Sequence, residues 1–416
     1  MITLTENTKR IIFIVFFVLF SLAAGYALYY FFFRPAAQPS GVEAPAGYGG
    51  EFGPAGPRGP VAPAQPAAPG TLPVTEGVTA GGEAGAGAGA AGPSDVTVLR
   101  DAVTQAVSPD PKGNMRYYNP DDGRFYRINP DGTLSLLSER QFFDVQTVSW
   151  GNTSNEAILE FPDGNNVYYS FDDQRQVELP QHWTDFEFAP KEEKIVAKSI
   201  GMDFDNRFLI TAKPDGNEAT AVYHMGTNED FVIPSFSPNN QVIGFSNTGE
   251  PQGDKAQQIY LLGPNHENYK TLIVPGAGFV PNWSPSGKRI LYSVYHERDD
   301  NKPMLWISDA SGQDIGRNRQ KLNLMTWADK CVWASDSSLV CAVPMALVKG
   351  AGFDRNANSD TPDDIYYIDL QSGVSKKINT PDQRYPVRQP VLSQDKAKLM
   401  FTDAVTGKFY SYTLHY

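Results

Sequence analysis

The chain has 416 residues, 41% of them hydrophobic, and a formal charge of -12. Residues 1–94 hold four basic and five acidic side chains, leaving -11 for the rest, so a generic nucleic-acid-binding surface is not expected and no nucleic-acid partner is assigned. Two cysteines in this length neither build a disulfide-rich scaffold nor supply a four-ligand zinc site.

Residues 1–10 end in Lys9 and Arg10, and residues 11–33, IIFIVFFVLFSLAAGYALYYFFF, form a run of 23 without a charge. That length crosses a hydrocarbon core as a helix, the form that satisfies its own backbone polar groups in lipid. The positive-inside bias of Lys9 and Arg10 puts residues 1–10 in the cytoplasm, and Tyr26, Tyr29 and Tyr30 suit the outer interface. The expectation is a single-pass signal-anchor in the cell membrane with an extracytoplasmic C-terminal domain. A cleaved signal peptide is the alternative, since Ala23, Ala24, Gly25 and Ala27 are small enough to be cut.

Residues 34–94 are dominated by Gly, Pro and Ala, with too few large apolar side chains for a core and no strict third-position glycine. This composition predicts a flexible, disordered linker with a mean reach on the order of 40 Å.

From Asp95 onwards, short sheet-forming runs alternate with Asn, Asp, Gly, Ser and Pro. Hairpins such as FVPNWSPSGKRILY at Phe279 recur, and their anchors Trp150, Phe188, Phe236, Trp283, Trp333 and Leu392 are 38, 48, 47, 50 and 59 residues apart. A second hairpin follows several anchors, as in DIYYIDLQSGVSKKI at Asp364, so each repeat holds four strands. One such hairpin is marginal alone, and the repetition predicts small sheets that share a core. The expected fold is an all-β propeller over residues 95–416, seven-bladed with six blades as the alternative. AVSPDPKGNMRYY at Ala106 would begin the first blade, and DVTVLR at Asp95 would supply the missing fourth strand of the last.

The Ser284-Pro285-Ser286-Gly287 turn, followed by a hydrophobic strand and a Tyr/Trp-rich strand ending in Asp-Xaa-Ser-Gly-type turns, resembles TolB-type, WD40-like β-propeller repeats. The resemblance covers roughly residues 96–416 and implies the fold. Such blades serve both envelope scaffolds and the substrate gates of prolyl-oligopeptidase-like enzymes, so it implies no single activity.

Several residue groups invite a chemical reading. Asp354, Asn356, Asn358 and Asp360 follow the alternate spacing of a calcium loop, with Asp363 or Asp364 as the closing ligand, so structural calcium is the one cofactor suggested. Ser359 stands where the turn glycine would be, and a solvated acidic turn is the plainer reading. Cys331 and Cys341 fall on two arms of one hairpin, one place out of register. That favours two buried thiols, with a disulfide as the alternative if a bulge realigns them. Trp183 and Trp327 precede anchors and are candidate binding aromatics near a ring opening. The five histidines are scattered, no Gly-Xaa-Ser-Xaa-Gly elbow occurs in a strand-to-helix setting, and no catalytic residue is assigned. These features point to a membrane-tethered scaffold binding a protein, peptide or envelope polymer. The rival is a propeller enzyme acting on a glycan or peptide through channel carboxylates.

Overall fold

The computed structural model describes residues 95–129, 132–191, 193–253, 255–378 and 383–416. The expected cytoplasmic start, membrane anchor and linker at residues 1–94 lie outside the described residues. Among the described residues no helix is long and apolar enough to cross a membrane.

Seven antiparallel sheets of four strands follow one another along the chain. Blades 1 to 6 occupy residues 105–136, 147–179, 183–224, 232–274, 277–321 and 331–377. Blade 7 takes three strands from residues 387–413 and its outermost strand, Val96–Arg100, from the start of the domain. Val96 pairs with Tyr412 and Val98 with Tyr410, so the two ends of the domain close one sheet. The seven-bladed expectation and the closing role of DVTVLR both hold. The all-β propeller is the architecture observed.

Why these hairpins form is visible in their turns. In blade 5, Ser284 is fully buried and its hydroxyl accepts the amide of Arg289 at 3.1 Å, while Gly287 adopts a φ of +69°. Ser237 accepts the amide of Val242 at 2.9 Å, and Ser393 that of Lys398 at 2.9 Å. The serine therefore satisfies a backbone donor that the tight turn would leave unpaired.

The anchor tryptophans tie neighbouring blades together. Trp150 Nε1 donates to the carbonyl of Ala106 at 2.6 Å, Trp283 Nε1 to Ser235 Oγ at 3.2 Å, and Trp333 Nε1 to Asn282 Oδ1 at 3.1 Å. Each indole thus reaches back to the innermost strand of the preceding blade, or to the residue just after it, pairing its N–H while its ring is packed. Seven apolar clusters fill the seven gaps between sheets, the last joining Met400 and Phe409 of blade 7 to Met115 and Tyr117 of blade 1. No sheet buries both faces without its neighbours, so stability belongs to the ring as a whole.

The hairpin of blade 6 departs from the expected register. Ser335 pairs with Ser338, but Ala334 is an extra residue between the pairs Trp333–Leu339 and Ser335–Ser338. This bulge brings Cys331 opposite Cys341, and the two are joined as a disulfide. The slipped register expected from counting residues across a regular hairpin is therefore corrected.

Candidate binding face and channel mouth

Strands that alternate in direction put two kinds of connection on each face of the ring. The first-to-second and third-to-fourth turns lie on one face, and the second-to-third and blade-to-blade loops on the other. The chain enters at Asp95 on the turn face, where the Asp95 carbonyl accepts the amide of Thr413 and Tyr416 Oη donates to Lys396 O.

The large apolar side chains left exposed are not spread evenly. Phe143, Met202, Phe204, Phe231, Met325, Met345, Val348, Phe353 and Val405 all stand on the loop face, and Met202 is 98% exposed. Others, such as Val98, Leu134 and Val374, lie on outermost strands. Desolvating such side chains is worth about 1.5–3 kcal/mol each, so the loop face has more apolar surface to bury than the turn face, where Tyr416 is exposed.

The longest of these loops, residues 345–362, is held in place. Gly350 and Gly352 donate their amides to Asp300 O and Asn301 O of blade 5 at 2.9 and 2.8 Å. Phe353 meets Tyr295 edge to face at 4.6 Å. A β-carbon at Gly352 would lie 2.4 Å from the Tyr295 side chain, so only glycine permits this approach. Arg355 completes the clamp with a two-pronged ion pair to Asp329 at 2.5 and 3.0 Å and a place over the Trp327 ring.

The residues proposed as calcium ligands are drawn apart by this arrangement. Asp354 caps a short 3-10 turn, Arg355–Asn358, by accepting the Asn356 amide at 3.0 Å. Asn358 is buried and donates to Ala346 O and Thr361 Oγ1, while Asp360 stays exposed. Asp363 and Asp364 open a strand, so their carboxylates leave on opposite faces. Asp363 meets Lys330 at 2.7 Å, and Asp364 meets Lys377 at 2.6 Å and Arg384 at 3.0 Å. Among the described residues no three His, Cys, Asp or Glu side chains gather as a metal cage.

Trp183 and Trp327 are interior groups. Trp183 packs with Leu179 and Phe186 between blades 2 and 3, and Trp327 lies under Arg355. With 3% and 6% exposure, neither ring offers a face to a partner. Position ahead of an anchor does not decide burial; here each ring fills the gap where one blade passes to the next.

Lys330 and Asp363 form a buried pair between blades 6 and 7 that the spacing of either residue did not suggest. Both Asp363 oxygens accept from Lys330 Nζ, and Oδ2 also accepts the amide of Val387, the first residue of the innermost strand of blade 7. Burial pushes the Asp363 carboxyl up and the Lys330 ammonium down, against their mutual attraction.

Two more carboxyl groups lie on or beside innermost strands. Burial pushes Glu187 up to about 8, and its Oε1 accepts the amide of Phe236 in blade 4. Burial also raises Glu160, which accepts from Thr184 Oγ1 at 3.1 Å and the Asp185 amide at 3.2 Å in blade 3. Each carboxyl bridges to the next blade.

At the mouth of the channel on the loop face, Gln105, Ala106, Gln146, Thr147, Val148, Arg388 and Gln389 surround a cavity of about 290 Å3. They come from blades 1, 2 and 7 and are brought together by ring closure alone.

No family model matches the chain, and no curated protein matches its sequence. Among solved structures, it is similar to the β-propeller domain of Cps50 (Swd1) from Myceliophteria thermophila. That match has 10% identity and a TM-score of 0.51, covering 77% of this chain and 98% of that one. An oligogalacturonate lyase from Vibrio parahaemolyticus matches at 12% identity and a TM-score of 0.48, over 76% of this chain and 93% of the other. A chain of the mitotic checkpoint complex matches at 12% identity and a TM-score of 0.46, over 77% and 94%. Identities this low speak to fold alone, and that fold is a seven-bladed β-propeller.

Proposed function

We propose that the propeller is a binding scaffold whose loop face receives a protein or peptide partner. In this reading residues 11–33 hold the chain in the membrane, with the propeller on the extracytoplasmic side, and residues 34–94 act as its tether. The carrying observation is the gathering of exposed apolar side chains on the loops of one face, opposite the entry of the chain at Asp95. Catalysis by channel carboxylates would need two of them free to face a substrate, whereas Glu160 and Glu187 each spend an oxygen on the neighbouring blade.

The test is a selection of peptides on the full chain, counter-screened against Phe204→Ser and Phe353→Ser. Both side chains are more than half exposed, so each change should cost no more than about 0.5–1.5 kcal/mol, the worth of the Tyr295 contact of Phe353 or the Arg207 contact of Phe204, and the thermal midpoint checks that each variant is folded. Selected peptides are expected to lose at least roughly tenfold in affinity for the paired variant, the size of one or two desolvated apolar anchors. Undiminished binding, or reproducible turnover of a glycan or peptide by the intact chain, would contradict the reading.

A further inference from the structure

The channel mouth differs in chemistry from the rim around it. Its polar lining consists of three amides, Gln105, Gln146 and Gln389, the hydroxyl of Thr147 and the guanidinium of Arg388. Within the described residues none of these side chains has a hydrogen-bond or ion-pair partner. Among the described residues no carboxylate lines the cavity. The acids of adjoining strands are already engaged: Asp185 pairs with Lys198 at 2.8 Å, and Glu160 accepts from Thr184 and the Asp185 amide. Arg388 is exposed and has no ion pair among the described residues, so its guanidinium is open to an anion.

Two of these innermost strands are bulged, as are those of blades 3 and 5 at Asp185 and Gly278. Ala106 and Gln389 adopt φ values of +50° and +49°, each inside a bulge of an innermost strand. Such bulges re-aim side chains, and a non-glycine residue at positive φ is strained there. The Trp150 indole, bonded to Ala106 O, fixes one of them from behind.

A carboxylate accepts about four hydrogen bonds and donates none, which complements a guanidinium, three amide NH2 groups and a hydroxyl. We propose that this pocket takes a single carboxylate presented by a peptide partner, as an acidic side chain or a C-terminus, with Arg388 as its ion-pair partner. The proposal rests on the loop face being the docking surface and names the group that the partner inserts. A volume of about 290 Å3 suits one residue, and the apolar rim on the same face suits the flanking peptide.

The experiment uses the full chain in detergent micelles and three probes: acetyl-Ala-Ala-Glu-amide, acetyl-Ala-Ala-Ala with a free C-terminus, and acetyl-Ala-Ala-Gln-amide. Calorimetric titration is expected to show one or both carboxylates binding at least roughly tenfold tighter than the glutamine isostere, with the preference falling as salt rises. The two carboxylate arms tell side chain from terminus. Arg388→Gln should abolish the preference and Gln146→Ala should reduce it by about threefold, both with an unchanged thermal midpoint because neither side chain has a partner among the described residues. Binding of both carboxylate probes no tighter than the glutamine probe, no binding of either carboxylate at millimolar concentration, or an unchanged preference in Arg388→Gln would overturn it. Phe204→Ser and Phe353→Ser should leave the probe preference intact, so failure of the pocket and failure of the docking face give different results.

Discussion

Asp363→Ala is expected to destabilise the propeller by about 3–5 kcal/mol, because it strands the ammonium of Lys330 in the interior with no counter-charge. Lys330 is 7% exposed and Asp363 3%, and the same carboxylate holds the Val387 amide at 2.7 Å. Removing it therefore breaks the ion pair and unpairs the first donor of the innermost strand of blade 7. For both groups burial outweighs attraction in setting the direction of the shift, so the intact pair adds little net stability although losing half of it is costly. It follows that Lys330→Met combined with Asp363→Leu should recover most of what Asp363→Ala loses. Thermal or denaturant unfolding of the three proteins checks this. A single variant within about 1 kcal/mol of the native chain would show that the pair is not buried as described.

Deleting residues 409–416 is expected to leave no folded monomer. The segment contributes the strand Phe409–Thr413, which lies between Lys398–Asp403 and Val96–Arg100 in the blade that closes the ring. Phe409 and Tyr412 are 0% and 1% exposed, so the loss empties the cores on both sides of blade 7 and leaves two strand edges unpaired. A milder version is Tyr412→Ala, which should cost about 3–5 kcal/mol as a large buried ring is removed. Circular dichroism and size-exclusion chromatography report the outcome. A truncated chain that remained monomeric with cooperative unfolding would mean that the circle need not be closed.

Blade number was legible because the Ser-Pro-Xaa-Gly turn and its Trp or Phe anchor are local: the Ser284 hydroxyl bonds an amide five residues away. Ring closure was legible because the last repeat lacked a strand and DVTVLR was a strand without a partner. The cysteine register was misread because a single bulged residue, Ala334, shifts pairing by one, and spacing alone does not show a bulge. The calcium pattern assumed a continuous loop. The chain instead makes a 3-10 turn and then a strand, which sends Asp363 and Asp364 to opposite sides. The channel mouth had no local signal, since Gln105 and Arg388 are neighbours only once the ring is closed. The exposed rim did leave one: Met202 and Phe204 sit amid Gly, Asp and Asn, where apolar residues have no strand to bury them.

Site-specific photocrosslinking in intact cells separates the two faces of the ring. A photoreactive residue in place of Phe204 or Phe353 on the loop face should yield a discrete protein adduct, whereas one in place of Lys112 or Gln394 on the turn face should not. Adducts from Lys112 and Gln394 alone, or equally from all four positions, would contradict the assignment of the loop face as the docking surface.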